Sequence, residues 1–186
     1  MAGQSARSAA QGLADHFNGV LNRTVSDSRL TVVSHPDHDD QFHLTRLVDR
    51  RRVPLELRAT SLRLFVTQAI RVVDGHCRTV SYSYRLQTGE ETDTWLLRWE
   101  YFRQPPKPEY MYVLGHVHFN GDFVGCAADP HFEKSPDHLH IPTGRVALEL
   151  VIWHLVSEWA VQPVTDGWQA ILSDSLEGFH ERRTAN

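Results

Sequence analysis

Two His-x-His pairs are the residues of this sequence that are best suited to chemistry. His116 and His118 lie in the segment GHVHFNG, and His138 and His140 lie about twenty residues later in DHLHIP. Because an imidazole titrates near neutral pH, paired histidines can act as a general base and a general acid. The same spacing also supplies nitrogen ligands for a transition metal.

A predicted helix begins just after the second histidine pair. Thr143 can cap this helix, and the unpaired backbone N–H groups and positive dipole end at its start attract an anion. Arg145 can hold a phosphate group bidentately at the same position. Imidazoles, an arginine and a helix amino terminus together favour acid/base chemistry on a phosphodiester. The alternative interpretation is an ordinary capped helix with exposed histidines.

Strand parity extends the predicted site to a second segment. Residues two apart on a strand point to the same face, so His116 and His118 share one face, and Arg98 and Glu100 share one face of their own strand. Trp95 is expected on the opposite, apolar face of that strand. If the two strands are neighbours, the two pairs form one polar cluster, whereas a solvated Arg98–Glu100 ion pair is the simpler alternative.

The sequence therefore predicts two sets of site residues and two kinds of chemistry. The predicted catalytic residues are His116, His118, His138, His140, Arg98 and Glu100. The predicted substrate-binding residues are Arg145, Thr143 and Arg85. In the leading hypothesis there is no cofactor, and arginines stabilise the charge that develops on phosphorus. In the alternative, the four histidines bind Zn, Fe or Mn, with a carboxylate from Glu100 or Asp137.

The elements that must position these residues indicate an α+β fold. Apolar residues at helical spacing predict a first helix from about Ala9 to Asn22, and two further helices are predicted at the end of the chain. Between them, residues 42–119 contain strand-like runs separated by short turns, which favours an antiparallel meander of about five to six strands. We expect one domain over residues 1–186, with residues 1–10 disordered.

The composition excludes several classes of protein. The 186 residues include 19 Lys plus Arg against 23 Asp plus Glu, a formal charge of −4, so the chain as a whole is not marked as a polyanion binder. Two cysteines, Cys77 and Cys126, are too few for a disulfide framework. No apolar run approaches the roughly 18 residues of a membrane span. These features predict a cytoplasmic protein without a membrane segment.

Three segments follow one another in an informative order: YSYRLQ at 82–87, LLRWEYF at 96–102 and, before a long helix, DHLHIP at 137–142. This order, over roughly residues 80–159, resembles the TumE family of toxin components from bacterial toxin–antitoxin operons. Arg98 matches the family arginine, Trp99 its aromatic residue, and His138 and His140 its paired histidines. Glu100 stands where the family usually has Asp, and YFRQPPKP differs from the Asn and His pattern that follows there.

The resemblance implies growth inhibition that a DNA-binding antitoxin relieves. Together with the paired histidines, it predicts a cytoplasmic toxin that cleaves RNA without a metal, with RNA and an antitoxin as partners and an oligomeric state that stays open. Two alternatives from other classes remain. One is a metal-dependent hydrolase or oxygenase that uses the same histidines, and the other is a non-enzymatic interaction protein.

Overall fold

The computed structural model describes residues 2–91, 95–104, 114–120 and 140–184, and it confirms an α+β fold. The helices of this part of the chain are α1 (Ala2–Thr24), α2 (Leu148–Glu158) and α3 (Trp168–Thr184). The strands are β1 (Thr31–Ser34), β2 (Gln41–Val48), β3 (Arg51–Val53), β4 (Leu55–Glu56), β5 (Arg63–Val73), β6 (His76–Gln87), β7 (Trp95–Phe102), β8 (Gly115–Phe119) and β9 (Ile141–Pro142). Among the described helices, none combines the length and hydropathy that crossing a membrane requires.

The strands form one antiparallel sheet in the order β1-β2-β5-β6-β7-β8-β9, with β3 beside β2 and β4 beside β5. The run from β5 to β8 is the predicted meander, in which each strand pairs with the next along the chain. Six of the described strands have four or more residues, which agrees with the predicted strand number. The remaining strands, β3, β4 and β9, are short pairings of two or three residues.

The helices cover one face of the sheet. Tyr84, Trp99 and Val117, from three adjacent strands, are buried in one core with Leu148 and Leu155 of α2. Since Leu155 is fully buried, its replacement by alanine should cost about 2–5 kcal/mol. Residues one position away on the same strands point to the other face, where the polar side chains of the predicted site lie.

The first helix begins earlier than the sequence predicts. α1 starts at Ala2 and so includes residues 2–10, which the sequence predicted to be disordered. Arg7 Nη1 donates a hydrogen bond to Ser34 Oγ at 3.0 Å, and Ala10 is completely buried. Alanine is the best helix former, and its small side chain allows close packing, so an alanine-rich start without large apolar residues can still form a docked helix.

The second helix begins later than predicted. Residues 141–142 form β9 against β8, and Gly144 has a φ of +70°, a left-handed conformation that glycine adopts without strain. Both features hold the chain out of a helical conformation until Leu148, and the N-cap residue Ala147 makes no side-chain cap hydrogen bond. The prediction that Thr143 caps this helix is therefore wrong.

Candidate metal centre

Two rows of side chains cross the outer face of the sheet from β5 to β8. The register of the first row is Phe65↔Arg85, Arg85↔Arg98 and Arg98↔His118. The register of the second row is Thr67↔Ser83, Ser83↔Glu100 and Glu100↔His116. The strands that carry the predicted arginine–glutamate and histidine pairs are therefore direct neighbours, and the two pairs share one face.

Three imidazoles converge beside Glu100. The ring centroids are 4.6 Å apart for His116 and His118, 4.7 Å for His116 and His140, and 4.3 Å for His118 and His140. One nitrogen of each ring lies within 4.8 Å of the other two. Glu100 Oε2 is 3.2 Å from His118 Nε2 and 3.6 Å from His116 Nε2. Four predicted site residues, from β7, β8 and the position before β9, thus form one cluster.

The cluster is closed on the sheet side and open on the side of His140. His116 is 4% exposed and His118 is 3% exposed, whereas His140 is exposed. Burial raises the pKa of Glu100, but hydrogen bonds from His116 and His118 and the charge of Arg98 outweigh it, so this pKa lies well below its usual range. Burial lowers the pKa of His140, and the neighbouring His118 and His116 lower it further. An ionised carboxylate therefore faces imidazoles, of which His140 is held in the neutral form that binds metals.

The distances from Glu100 to two of the imidazoles fit a metal coordination sphere. In a tetrahedral site with bonds of about 2.0–2.1 Å, neighbouring ligand atoms are about 3.3 Å apart. The distances of 3.2 Å and 3.6 Å from Glu100 Oε2 to His118 Nε2 and His116 Nε2 agree with that spacing. A set of imidazole nitrogens with one carboxylate oxygen suits Zn, Fe or Mn. Asp137, the other predicted carboxylate ligand, lies outside the described residues.

A close approach of two backbone segments brings His140 to the cluster. The Thr143 amide donates a hydrogen bond to the Gly115 carbonyl at 3.0 Å, which continues the pairing of β8 with β9. A Cβ atom on residue 115 would overlap the carbonyl oxygen of Gly144, so only glycine permits this approach. Gly115 therefore fixes the position of the segment that carries His140.

Arg85 and Arg98 form a cationic pair next to the histidines. They are register partners on β6 and β7, and burial followed by the charge of Arg98 lowers the pKa of Arg85. The Arg85 guanidinium lies 4.5 Å from the Phe65 ring centroid, and that of Arg98 lies 5.0 Å from the Trp95 ring centroid. Trp95 thus contacts Arg98 rather than standing apart from it as predicted, because the β6–β7 register shifts between Leu86 and Gln87.

Each of these two arginines has a buried Nε atom that finds no hydrogen-bond partner in the described part of the chain. Arg98 Nε is 3.5 Å from Glu100 Oε2, which makes an ion pair between groups that are partly buried. Since an unsatisfied buried donor costs about 1–3 kcal/mol, the two guanidinium groups are suited to an additional anionic partner.

The remaining predicted residues do not join the cluster. Arg145 lies towards the helix-facing side of the sheet, where its Nη2 donates a hydrogen bond to Thr79 Oγ1 at 2.8 Å and its guanidinium lies 5.8 Å from the Tyr101 ring centroid. Thr143 is exposed, and its hydroxyl donates to the Gly144 carbonyl at 3.1 Å. The prediction about His138 falls on a residue that the structure does not describe.

A second polar group was not predicted from the sequence. Glu149 of α2 is 1% exposed and accepts a hydrogen bond from Ser175 Oγ at 2.5 Å, and Ser175 Oγ is 2.8 Å from His16 Nε2. The three residues are on three different helices, so their adjacency leaves no spacing pattern. One signal was available, because a single glutamate among the apolar residues of VALELVIWHLV needs a polar partner once that helix is buried.

Comparison of the chain with protein-family models, with curated proteins and with solved structures finds no match. The arrangement of side chains is therefore the basis for inferring a function. Fold class alone would not serve, because one fold supports many activities and the chemistry depends on the site.

Proposed function

We propose that this protein is a metal-dependent hydrolase of an anionic ester, with a phosphodiester as the preferred substrate class. His116, His118, His140 and Glu100 would bind the metal ion, and Arg85 and Arg98 would bind the substrate anion. The observation that carries the proposal is the convergence of three imidazole nitrogens within 4.8 Å of one another beside a carboxylate. The sequence offered this function as the alternative to metal-free cleavage of RNA. We now favour it because the imidazole nitrogens lie so close together.

Metal-free cleavage of a phosphodiester places a base and an acid on opposite sides of phosphorus. Each imidazole then forms a hydrogen bond of about 2.8 Å to a different oxygen, so the two nitrogens stand roughly 8 Å apart. One nitrogen from each of His116, His118 and His140 lies within 4.8 Å of the other two, and the ring centroids are 4.3–4.7 Å apart, so the rings are too close together to enclose a phosphate group. Ligands of one ion, by contrast, must be close together.

Burial also favours a metal over acid/base catalysis by the histidines. His116 and His118 are almost inaccessible, which suits ligands that hold an ion rather than groups that exchange protons with solvent. The exposed His140 side is the direction from which water and substrate would reach the ion. A bound ion lowers the pKa of its water and supplies a hydroxide nucleophile near neutral pH.

The arginine pair supports an anionic substrate. Arg98 is the register partner of His118, so its guanidinium is next to the ligand set, and Arg85 is one strand further away. The ion held by the histidines and Glu100 would supply a nucleophile derived from water for the phosphorus atom of the substrate anion. Arg98 and Arg85 would balance the charge that develops on the phosphoryl oxygens.

RNA is the first phosphodiester to test. The resemblance to toxin components led to the expectation of an RNA substrate and an antitoxin partner, and the metal proposal keeps the substrate while changing the chemistry. A cytoplasmic location, toxicity and an antitoxin partner are likewise proposals that rest on the sequence. Growth arrest on expression that requires His118 would support them.

The test is hydrolysis of a single-stranded RNA and of bis(p-nitrophenyl) phosphate by protein that has been stripped with a chelator and then reloaded. We expect activity only after addition of Zn²⁺, Fe²⁺ or Mn²⁺, and we expect none for His118→Ala with any of these ions. His76→Ala is the matched control, because His76 is exposed at the start of β6 and lies outside the cluster.

Two results would contradict the proposal. Cleavage of RNA by the stripped protein at the rate of the reloaded protein would restore the metal-independent ribonuclease hypothesis. Absence of hydrolysis of both substrates with every ion would remove the hydrolase assignment, even if a metal is bound.

A further inference from the structure

A polar cavity lies on the opposite side of the sheet from the histidines. It has a volume of about 450 Å³ and is lined by Tyr82, Tyr84 and Tyr101 of the sheet, by Phe17 of α1 and by Glu149 of α2. The tyrosines are on the helix-facing side, one position out of phase with the residues of the metal cluster. The cavity is therefore a separate site. Its volume lies within the range of pockets that bind small molecules.

One side of the cavity is cationic. Arg78, Arg103 and Arg145 line it, and the first two are exposed, whereas Arg145 is half-buried. Arg103 Nε donates a hydrogen bond to the Thr79 carbonyl at 2.9 Å, and Arg145 Nη2 donates to the Thr79 hydroxyl at 2.8 Å. These contacts hold two guanidinium groups around one residue. Grouped arginines of this kind favour a carboxylate, phosphate or phosphonate group.

A buried carboxylate lines the same cavity. Glu149 Oε1 accepts a hydrogen bond from Ser175 Oγ and lies 3.8 Å from His16 Nε2, but Glu149 Oε2 is buried without a hydrogen-bond partner in the described residues. An unsatisfied charged oxygen is costly to bury. An ammonium or other N–H donor on a ligand would satisfy it.

Tyr84 lines the same cavity as the two charged regions. Burial raises the pKa of Tyr84 well above its usual value, with further increases from Tyr82 and Glu149 and a decrease from Arg145. Tyr84 Oη donates a hydrogen bond to Gln68 Oε1 at 2.6 Å, so its position is fixed. Since Glu149 and Arg145 line the same cavity of about 450 Å³, a short ligand can span from the arginines to the carboxylate.

We propose that this cavity binds a small amine that carries an anionic group, with the anion at Arg145, Arg103 and Arg78 and the amine at Glu149. This site is independent of the proposed metal centre. The cationic residues outnumber the carboxylate among the charged groups that line the cavity, so a doubly charged anion such as a phosphonate suits it better than a carboxylate.

Three molecules that share a three-carbon chain test the proposal: 3-aminopropylphosphonate, propylphosphonate and propylamine. We expect isothermal titration calorimetry of the wild-type protein to show 3-aminopropylphosphonate binding at least tenfold more tightly than propylphosphonate and propylamine binding least. Glu149→Gln should remove the advantage of the amine while leaving the affinity for propylphosphonate. Arg145→Gln should lower the affinity for both phosphonates by a similar factor.

The design separates this site from the metal centre and from a loss of folding. His118→Ala should leave all three affinities unchanged, because His118 belongs to the metal cluster and does not line the cavity. A phosphonate that binds the metal instead would lose affinity in that variant. Retained binding of propylphosphonate by Glu149→Gln shows that this variant is folded. Equal affinity of the wild-type protein for the two phosphonates, or no binding of either in the millimolar range, would overturn the proposal.

Discussion

The two faces of the sheet hold polar groups in different ways. On the outer face, Arg98, Glu100, His116 and His118 come from two neighbouring strands, and their charges compensate one another within one cluster. On the helix-facing side, Glu149 and its hydrogen-bond partner Ser175 come from helices, and one carboxylate oxygen of Glu149 has no hydrogen-bond partner among the described residues. The first arrangement is preorganised for an ion, and the second leaves room for a molecule.

Gly115→Ala should have the largest effect on the outer face. A methyl group on residue 115 would overlap the Gly144 carbonyl, so β9 must move away and carry His140 with it. We expect affinity for the metal to fall by roughly 100-fold, the upper range for loss of an orienting interaction. Competition with a chromogenic zinc chelator measures it. Gly19→Ala is the control, because its added methyl group meets open space, and affinity lost equally in both variants would contradict this role of Gly115.

Glu100→Gln should weaken metal binding by about ten- to a hundredfold. The amide keeps the shape of the side chain but removes the negative charge that lies 3.2 Å from His118 Nε2 and 3.6 Å from His116 Nε2. Calorimetric titration of the stripped protein with Zn²⁺ gives the affinity. An unchanged affinity would mean that Glu100 is only the ion-pair partner of Arg98.

Arg85→Met should separate substrate binding from metal binding. Removing a guanidinium that bonds an anion costs about 1.5–3 kcal/mol, so we expect the KM for a phosphodiester to rise at least about tenfold while the metal content stays the same. Arg63→Met on β5 is the matched control, since Arg63 pairs with Glu90 at 2.7 Å and lies away from the cluster. A KM that is unchanged in Arg85→Met would place the substrate elsewhere.

Part of the outer site could be predicted from the sequence. Alternate residues of a strand point to the same face, and this local rule placed Arg98 with Glu100 and His116 with His118. The contribution of His140 depends on the close approach of Gly115 to Gly144, which no spacing reveals. Arg145 and Thr143 were grouped with the histidines because a helix was expected to start beside them, and the short strand β9 intervenes instead.

The helix-facing site was beyond prediction for a related reason. Its groups come from α1, α2, α3, β6, β7 and the segments that follow β7 and β9, so their proximity depends on how the helices dock on the sheet. Sequence patterns fix which face of a helix is apolar, but they do not fix which residues of two helices touch. The fold class and the meander, by contrast, follow from local strand runs and short turns, and both were predicted.

The substitution of Tyr82 should have the smallest effect of these variants, and it tests only the helix-facing side of the sheet. Burial raises the pKa of Tyr82 to about 12, although its hydrogen bond with the Val146 amide and the charge of Arg145 oppose this. The folded protein therefore holds this proton more tightly than the unfolded chain, and its contribution to stability is present below about pH 10 and lost as the pH rises towards 12. Ultraviolet difference titration should show a step near pH 12 that Tyr82→Phe removes. A Tyr82 step near pH 10 would indicate an open, solvated cavity.

The most direct measurement is the metal content and ligand environment of the untagged protein, by mass spectrometry and X-ray absorption spectroscopy. We predict about one Zn, Fe or Mn ion per chain, bound by nitrogen and oxygen atoms at about 2.0–2.1 Å, and its loss in the His116→Ala, His118→Ala double variant. A protein that stays metal-free after incubation with each ion would contradict the central claim. So would a double variant that keeps the wild-type metal content.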